Sequence, residues 1–356
     1  MIQYMSAREA AEKWSISQRR VSILCSESRI PNVAMLGNMW LIPRNAEKPV
    51  DARMKRNTAF EQSKVHPFVK WAGGKGQLLT VLKANLPHGL GTTITKYAEP
   101  FVGGGALLFS LLSEYVFEEV YINDNNKELI NAFSVIKSNC ENLLLKLESF
   151  QNEYEKLDSD AQQLYYYEKR DEFNNIPLNN NTSLNKASLF IFLNKTCFNG
   201  LYRVNKSGKF NVPAGKYKNP LICDKENIVN ISKKLQNVIL HSCDYHDVEN
   251  FADKNPFVYF DPPYRPLNIT SAFTSYTENQ FNDSDQIELA KFYKHLSNKG
   301  VKVLLSNSDP HNFNFEDNFF DDLYAEFDIQ RITAVRMINS KVDKRGNVTE
   351  LLIKNY

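Results

Sequence analysis

The sequence predicts an α/β protein built on a largely parallel sheet, with a mostly helical insertion and a small helix-turn-helix unit at its N-terminus. Three observations carry that expectation. Short apolar runs alternate with helical stretches from about residue 66 onward. One connection between successive runs, residues 126–236, is far longer than a crossover helix requires. The first 45 residues carry helix and turn signals of their own, ahead of a polar stretch.

At the N-terminus, Ser6-Ala7-Arg8-Glu9 is a capping box that opens a helix running through Trp14. Ser17 caps a second helix, with Val21 and Leu24 on one face and Arg19 and Arg20 directed away. Residues 32–43 read as two short strands around Gly37-Asn38. Helix, tight turn, helix and β-wing is a DNA-binding plan, although so short a pattern also suits a packing appendage. Residues 1–56 carry ten Lys/Arg against five Asp/Glu, a net charge of +5, while the rest of the chain is mildly acidic. Residues 46–64 lack an apolar period and read as a linker.

In the body, strand candidates lie at 97–101, 120–123, 238–242, 257–260, 301–305 and 351–353. The expected division is therefore a head at 1–45, a linker at 46–64, a sheet domain from 65–125 and 237–356, and a helical inserted domain at 126–236. Within the insertion, residues 195–218 hold Lys195, Arg203, Lys206, Lys209, Lys216 and Lys218 and no acid. Phe198, Tyr202, Phe210 and Tyr217 are interleaved with them, a mixture suited to a nucleic-acid surface.

Composition sets aside other classes. With 42% hydrophobic and 24% charged residues the balance is globular. No run of about 18 uncharged apolar residues suggests a membrane span, and the first residues lack the pattern of a secretory signal. Five scattered cysteines without Cys-x-x-Cys spacing fit reduced thiols in a cytoplasm better than disulfides or a zinc site.

Three segments carry chemistry. The run at 97–101 leads into Gly103-Gly104-Gly105 and an apolar helix, a turn that lets a ligand lie against backbone at the sheet's carboxyl edge. Asp124, about 20 residues on at the end of the next strand, can bind the two hydroxyls of a ribose. The glycines depart from G-x-G-x-x-G, which favours a nucleoside other than a nicotinamide cofactor. Lys70-Trp71-Ala72-Gly73-Gly74-Lys75 fails the phosphate-loop pattern, because Gly76 stands where a hydroxyl residue is needed. It can instead hold a carboxylate and pack on a nucleoside.

The third segment, Asp261-Pro262-Pro263-Tyr264, follows the strand at 257–260. Its two prolines fix the backbone and remove two N–H donors. The Asp261 carboxylate and the Pro262 carbonyl remain as acceptors. An amino group on a base is a poor nucleophile because its lone pair is delocalised into the ring. Two acceptors on its two N–H bonds draw it toward tetrahedral geometry and free that pair. Tyr264 offers a flat face on which an extruded base can stack.

In order, Lys70–Lys75, Glu99-Pro100-Phe101-Val102-Gly103-Gly104-Gly105 and Asp261–Tyr264 resemble the Dam-type (D12 class) DNA adenine-N6 methyltransferases of bacterial restriction–modification systems. The likeness runs from about residue 66 to the C-terminus. It takes in Asn194-Lys195-Thr196-Cys197-Phe198-Asn199-Gly200-Leu201-Tyr202-Arg203, Phe210-Asn211-Val212-Pro213 and Ser306-Asn307-Ser308-Asp309. The resemblance implies a Rossmann-like methyltransferase sheet using S-adenosylmethionine and no metal. Trp71, Lys75, Phe101, Gly103, Asp124, Asp244 and Asp261 would bind that cofactor, and Asp261, Pro262 and Tyr264 would be catalytic. Arg203 would read a guanine in double-stranded DNA, Phe198 would wedge beside the target adenine and Asn199 would fill in. Lys70, Leu201, Pro213 and Tyr217 would contact bases, a pattern that goes with GATC. A cognate restriction endonuclease is the implied functional counterpart. The N-terminal unit departs from the family pattern and resembles excisionase-like helix-turn-helix units instead. Methylation of cytosine N4 or RNA uses the same acid-proline-proline-aromatic logic and is one rival. The other is a DNA-binding regulator with an inactive methylase body.

Overall fold

Ser6 opens the first helix through reciprocal bonds: the Glu9 amide donates to the Ser6 Oγ (3.2 Å) and the Ser6 amide donates to the Glu9 carboxylate (2.7 Å). The computed structural model describes residues 4–14, 16–26, 30, 33–37, 39–46, 48, 65–252, 256–265, 281–335 and 347–356, in two compact units, Met1–Gln62 and Ser63–Tyr356. The expected linker therefore lies almost wholly outside the described residues, as do Asn38 and the side chain of Arg20.

The first unit runs β1 (Tyr4–Ser6), α1 (Ala7–Trp14), α2 (Gln18–Ser26), β2 (Ala34–Leu36) and β3 (Met39–Pro43). Its strands form an antiparallel sheet in the order β1-β3-β2. Ala10, Ala11, Trp14, Val21, Leu24 and Ile42 share one small core. The strand β1 was not expected; Met5 is its only buried residue, too little for an apolar signal.

The second unit begins with a short 3-10 turn at Lys75–Gln77 and α3 (Leu79–Ala84). Then come β4 (Lys96–Glu99), α4 (Ala106–Glu114) and β5 (Glu119–Asn123). Five helices follow: α5 (Lys127–Ser138), α6 (Cys140–Glu155), α7 (Ser159–Asn175), α8 (Ser183–Thr196) and α9 (Lys225–Lys234). The chain continues through β6 (Val238–His241), β7 (Phe257–Phe260), α10 (Asp283–Asn298), β8 (Lys302–Ser308), α11 (Phe319–Leu323), β9 (Asp328–Val335) and β10 (Asn347–Lys354). The seven strands stand in the order β6-β5-β4-β7-β8-β10-β9. The first five are mutually parallel, and β10 and β9 close the sheet antiparallel.

Strand order reverses between β4 and β7. In an open α/β sheet such a switch point leaves a crevice beyond the carboxyl ends of the two strands. The glycine turn leaves β4 there and Asp261 leaves β7 there. The helices between β5 and β6 do not enclose a core of their own. Leu129, Phe133, Leu147, Phe190, Phe192 and Ile231 belong to the same buried cluster as Tyr97, Val120, Ile122 and Phe257 of the sheet. At the centre, α8 is buried on every side over positions 186–194, so it shows no polar face. Its Lys186 is tolerated because its Nζ donates to the Phe173 carbonyl (2.7 Å) and the Ile176 carbonyl (3.1 Å).

Candidate active site

Asp261 leaves the end of β7 with its carboxylate 2.7 Å from the Lys75 Nζ, and the lysine side chain is only 6% exposed. Burial raises the Asp261 carboxyl above the ordinary range and Lys75 opposes that rise. The same Nζ lies 4.5 Å from the centre of the Tyr264 ring. It also donates to the Gly73 carbonyl at 2.8 Å.

The proline pair is braced from behind. Gln286 of α10, fully buried, donates to the Pro263 carbonyl (3.0 Å) and accepts from Asn307 of β8 (2.9 Å). The Asn307 amide oxygen faces the backbone N–H of Arg265 (3.4 Å) and accepts from that of Ser308 (2.9 Å). No hydrogen bond to the Pro262 carbonyl is found among the described residues. Two acceptors, the Asp261 carboxylate and the Pro262 carbonyl, therefore stand at the tip of a rigid segment. Asp309, the last of the Ser-Asn-Ser-Asp run, is buried against Arg331 of β9 (3.2 Å), so it fastens the antiparallel edge.

Across the switch point, Gly103 has φ +49°, and a Cβ there would lie 2.8 Å from Trp71 Cδ1. Only glycine lets the turn close on that indole. Trp71 is stacked on Tyr202 (5.7 Å between centroids, 22° between planes). Asp124, at the end of β5, accepts the Gly103 amide (3.0 Å) on one oxygen and the Asn126 amide (2.9 Å) on the other. Each oxygen keeps a further lone pair. Phe101 is half-buried and clusters with Tyr245 (5.2 Å) and Phe281 (6.0 Å). Asp244 precedes Tyr245 and is largely exposed, with its carboxylate accepting the His246 amide at 2.9 Å.

Sequence reasoning passed over three polar residues that organise this edge, two of them buried and Glu350 partly buried. Asn123 donates to the carbonyls of Pro100 and Cys243 (both 3.0 Å) and accepts the Cys243 amide (2.9 Å), pinning the loops after β4, β5 and β6 together. Glu99 is 2% exposed and takes the Tyr97 hydroxyl. It also accepts the Leu108 amide at the start of α4, where Gly105 offers no capping side chain. Burial, with the Asp261 charge nearby, pushes its carboxyl up to about 8. Glu350 of β10 accepts the Tyr264 hydroxyl at 2.7 Å. The signal available for Glu350 was a carboxylate at an apolar position of an alternating strand.

The expected recognition residues gather beside Trp71. Asn194 accepts the Lys70 amide (2.8 Å) and donates to the carbonyls of Lys70 (2.9 Å) and Gly200 (3.0 Å). Lys70 lies 4.8 Å over the Tyr217 ring. Phe198 is half exposed, its amide donating to the Pro213 carbonyl (2.9 Å), and Leu201 closes that turn on the Phe198 carbonyl (3.3 Å). Asn199 has φ +57°, the one non-glycine residue with positive φ among those described. Such a conformation persists only where the surroundings enforce it. Arg203 is exposed, with its Nε donating to the Asn211 side chain (2.8 Å) and one Nη donating to the Asn211 carbonyl (3.4 Å). Two of the four aromatics in the basic stretch do not face solvent. Tyr202 and Phe210 are buried because they pack on Trp71, Phe190 and Phe173. Lys195 is also largely withdrawn, and burial lowers its proton affinity.

Comparison with known proteins bears directly on this edge. Residues 71–338 match the model of the D12 class N6 adenine-specific DNA methyltransferases. Over 294 residues the chain is 50% identical to a type II methyltransferase of Methanocaldococcus jannaschii, covering 82% of this chain and 99% of that protein. A type II methyltransferase of Lactococcus lactis subsp. cremoris is 40% identical over 82% of this chain and 96% of its own length. The DNA adenine methylase of Escherichia coli is 32% identical over 84% and 95%. With the expected Lys70–Lys75, glycine-turn and Asp-Pro-Pro-Tyr segments meeting at one sheet edge, the chain belongs to the D12 class of N6 adenine-specific DNA methyltransferases.

Proposed function

We propose that this enzyme methylates N6 of adenine within GATC in duplex DNA, by extruding the adenine and transferring the methyl group directly in line. The observation that carries the reading is the tip of the Asp-Pro-Pro-Tyr segment. An anionic acceptor paired with Lys75 is followed by a carbonyl with no hydrogen-bond partner among the described residues, on a segment braced at Pro263, and Lys75 also lies over the Tyr264 ring. Membership of the family implies S-adenosylmethionine as methyl donor, and it supplies the electrophilic methyl. Gly103 with its tight approach to Trp71, the spare lone pairs of Asp124 and the half-buried Phe101 suit a nucleoside and amino-acid ligand. Trp71, Lys75, Phe101, Gly103, Asp124, Asp244 and Asp261 would hold it.

In this reading Asp261 and the Pro262 carbonyl accept the two N–H bonds of the adenine amine, and Tyr264 carries the base. No covalent enzyme intermediate is required. Extrusion costs a few kcal/mol; insertion of Phe198 with Asn199 behind it, and phosphate contacts from Lys206, Lys209, Lys216 and Lys218, offset that cost. Arg203 reads a guanine, while Lys70, Leu201, Pro213 and Tyr217 complete the surface. Residues 126–236 thus act as the target-recognition segment between the two catalytic stretches, 65–125 and 237–356. The head at 1–45 acts as a winged helix-turn-helix joined through the linker at 46–64, adding DNA affinity, and the whole protects host DNA beside a cognate endonuclease.

The test is incubation of the protein and S-adenosylmethionine with GATC plasmid, followed by a methylation-blocked endonuclease. Protection is expected; complete cutting, with transfer detected on other DNA, removes GATC. Mass spectrometry of the product nucleosides separates N6-methyladenine from N4-methylcytosine. A gel shift with fragment 1–56 tests the head, where binding that weakens with salt is expected.

A further inference from the structure

Glu350 occupies a position that strand alternation would give to an apolar side chain. Its same-face neighbours on β10, Val348 and Leu352, pack into the core. Its backbone is paired on both sides, opposite Ser308 of β8 and opposite Ile332 of β9. The carboxylate is therefore mounted on the interior of a sheet, and it accepts the Tyr264 hydroxyl at 2.7 Å. Tyr264 is otherwise fixed at its root by the Gln286 bond to Pro263 and over its ring by Lys75. A phenylalanine would offer the same stacking face without the handle that Glu350 grips.

We propose that Glu350 is a positioning residue of the transfer reaction: through the Tyr264 hydroxyl it sets the plane on which the target adenine stacks, and its charge acts on Asp261. The inference rests on the reading of Tyr264 as the stacking ring. Among the described residues, Lys75 from the 3-10 turn and Glu350 from β10 bear on Asp261, whose own charge raises Glu99 of β4, Tyr259 and Tyr264. Glu350 favours the protonated form of Asp261 and Lys75 the ionised form. Replacing Glu350 with glutamine keeps an acceptor for the Tyr264 hydroxyl and removes the like charge.

The experiment uses the full chain, labelled S-adenosylmethionine and unmethylated genomic DNA, which presents every target sequence. Single-turnover rates are followed from roughly pH 5.5 to 9. Y264F and E350A should each lower the plateau rate about 10- to 100-fold, the range for a hydrogen bond to a charged group. The double variant should be no slower than the poorer single variant by more than about twofold, because both remove one interaction. E350Q should stay within about threefold of wild type on the plateau, with its acidic limb moved to lower pH. A wild-type rate in E350A, a double variant slowed by the product of the single losses, or an unmoved E350Q limb would overturn the proposal. Should E350A not fold, an unmoved E350Q limb or an unchanged Y264F rate still overturns it. A duplex with 2-aminopurine at the target position separates the two readings. No fluorescence rise in wild type refutes stacking on Tyr264 and the role of Glu350 with it. A rise that E350A leaves unchanged refutes the role of Glu350 alone.

Discussion

Replacing Glu99 with glutamine should change how the stability of the protein depends on pH. The Glu99 carboxyl is 2% exposed and is pushed from 4.5 up to about 8, first by burial and then by the charge of Asp261, with the Tyr97 hydroxyl and the Leu108 amide in opposition. A raised carboxyl means that the folded chain binds more protons than the unfolded chain between those two values. Stability from this group is therefore fully present below about pH 4.5 and is lost as pH rises through about 8. At 1.36 kcal/mol per pH unit the loss reaches at most about 5 kcal/mol. Glutamine mimics the protonated form: its oxygen can accept the Leu108 amide while the Tyr97 hydroxyl turns to accept from its NH2. Urea unfolding of both proteins at roughly pH 5, 7 and 9 isolates the effect, because every other titrating group is common to both. The variant should gain on wild type by about 2–5 kcal/mol between the lowest and highest pH. Stabilities that run parallel across the range would show that Glu99 is ionised in the fold, and the argument from burial would fail.

Other expectations follow from the same geometry. Asp261→Ala should lower transfer by about a thousandfold or more while leaving DNA binding within about threefold by gel shift, since it removes the acceptor proposed for the adenine amine and no contact to the DNA backbone. Lys75→Met withdraws the cation that opposes burial of Asp261. The acidic limb of the pH–rate profile should then move to higher pH, opposite to the shift expected for E350Q. Gly103→Ala puts a Cβ 2.8 Å from Trp71 at φ +49°. It should cost about 1–3 kcal/mol in urea unfolding and weaken S-adenosylmethionine binding in calorimetry. Arg203→Ala should reduce preference for the guanine proposed as its partner by about 1–3 kcal/mol in competition binding, with little change in affinity for other sequences.

What could be read from residues alone followed physical regularity. The strands at 97, 120 and 257 are continuous apolar runs because both their faces are covered, and such runs are visible without a partner. The strand Asp328–Val335 escaped notice because an edge strand carrying Asp328, Gln330 and Arg331 shows no apolar run. The Asp-Pro-Pro-Tyr segment and Asp124 were legible because the chemistry itself dictates residue type and position. Asn123, Gln286 and Glu350 were not, since each owes its importance to a partner distant along the chain. Likewise Tyr202 and Phe210 looked like surface aromatics amid lysines; only the packing around Trp71 and Phe173 shows them to be interior. The insertion read as a separate domain from its length, whereas its helices complete the core of the sheet.

The Asn194 side chain has a consequence for how new target sequences can arise in such an enzyme. One amide grips both backbone polar groups of Lys70 and the carbonyl of Gly200. Gly200, at φ +65°, would bring a Cβ within 2.6 Å of the Lys70 side chain. The turn bearing Phe198 and the segment leading to Lys75 are thus one mechanical part, although well over a hundred residues of chain separate them. A transplanted specificity segment cut only at the borders of the insertion would leave half of that part behind. On the proposed reading of the insertion as the target-recognition segment, swaps between relatives should keep function only when residues 70, 194 and 200 travel as a set, which would make the inheritable unit of specificity discontinuous in the gene.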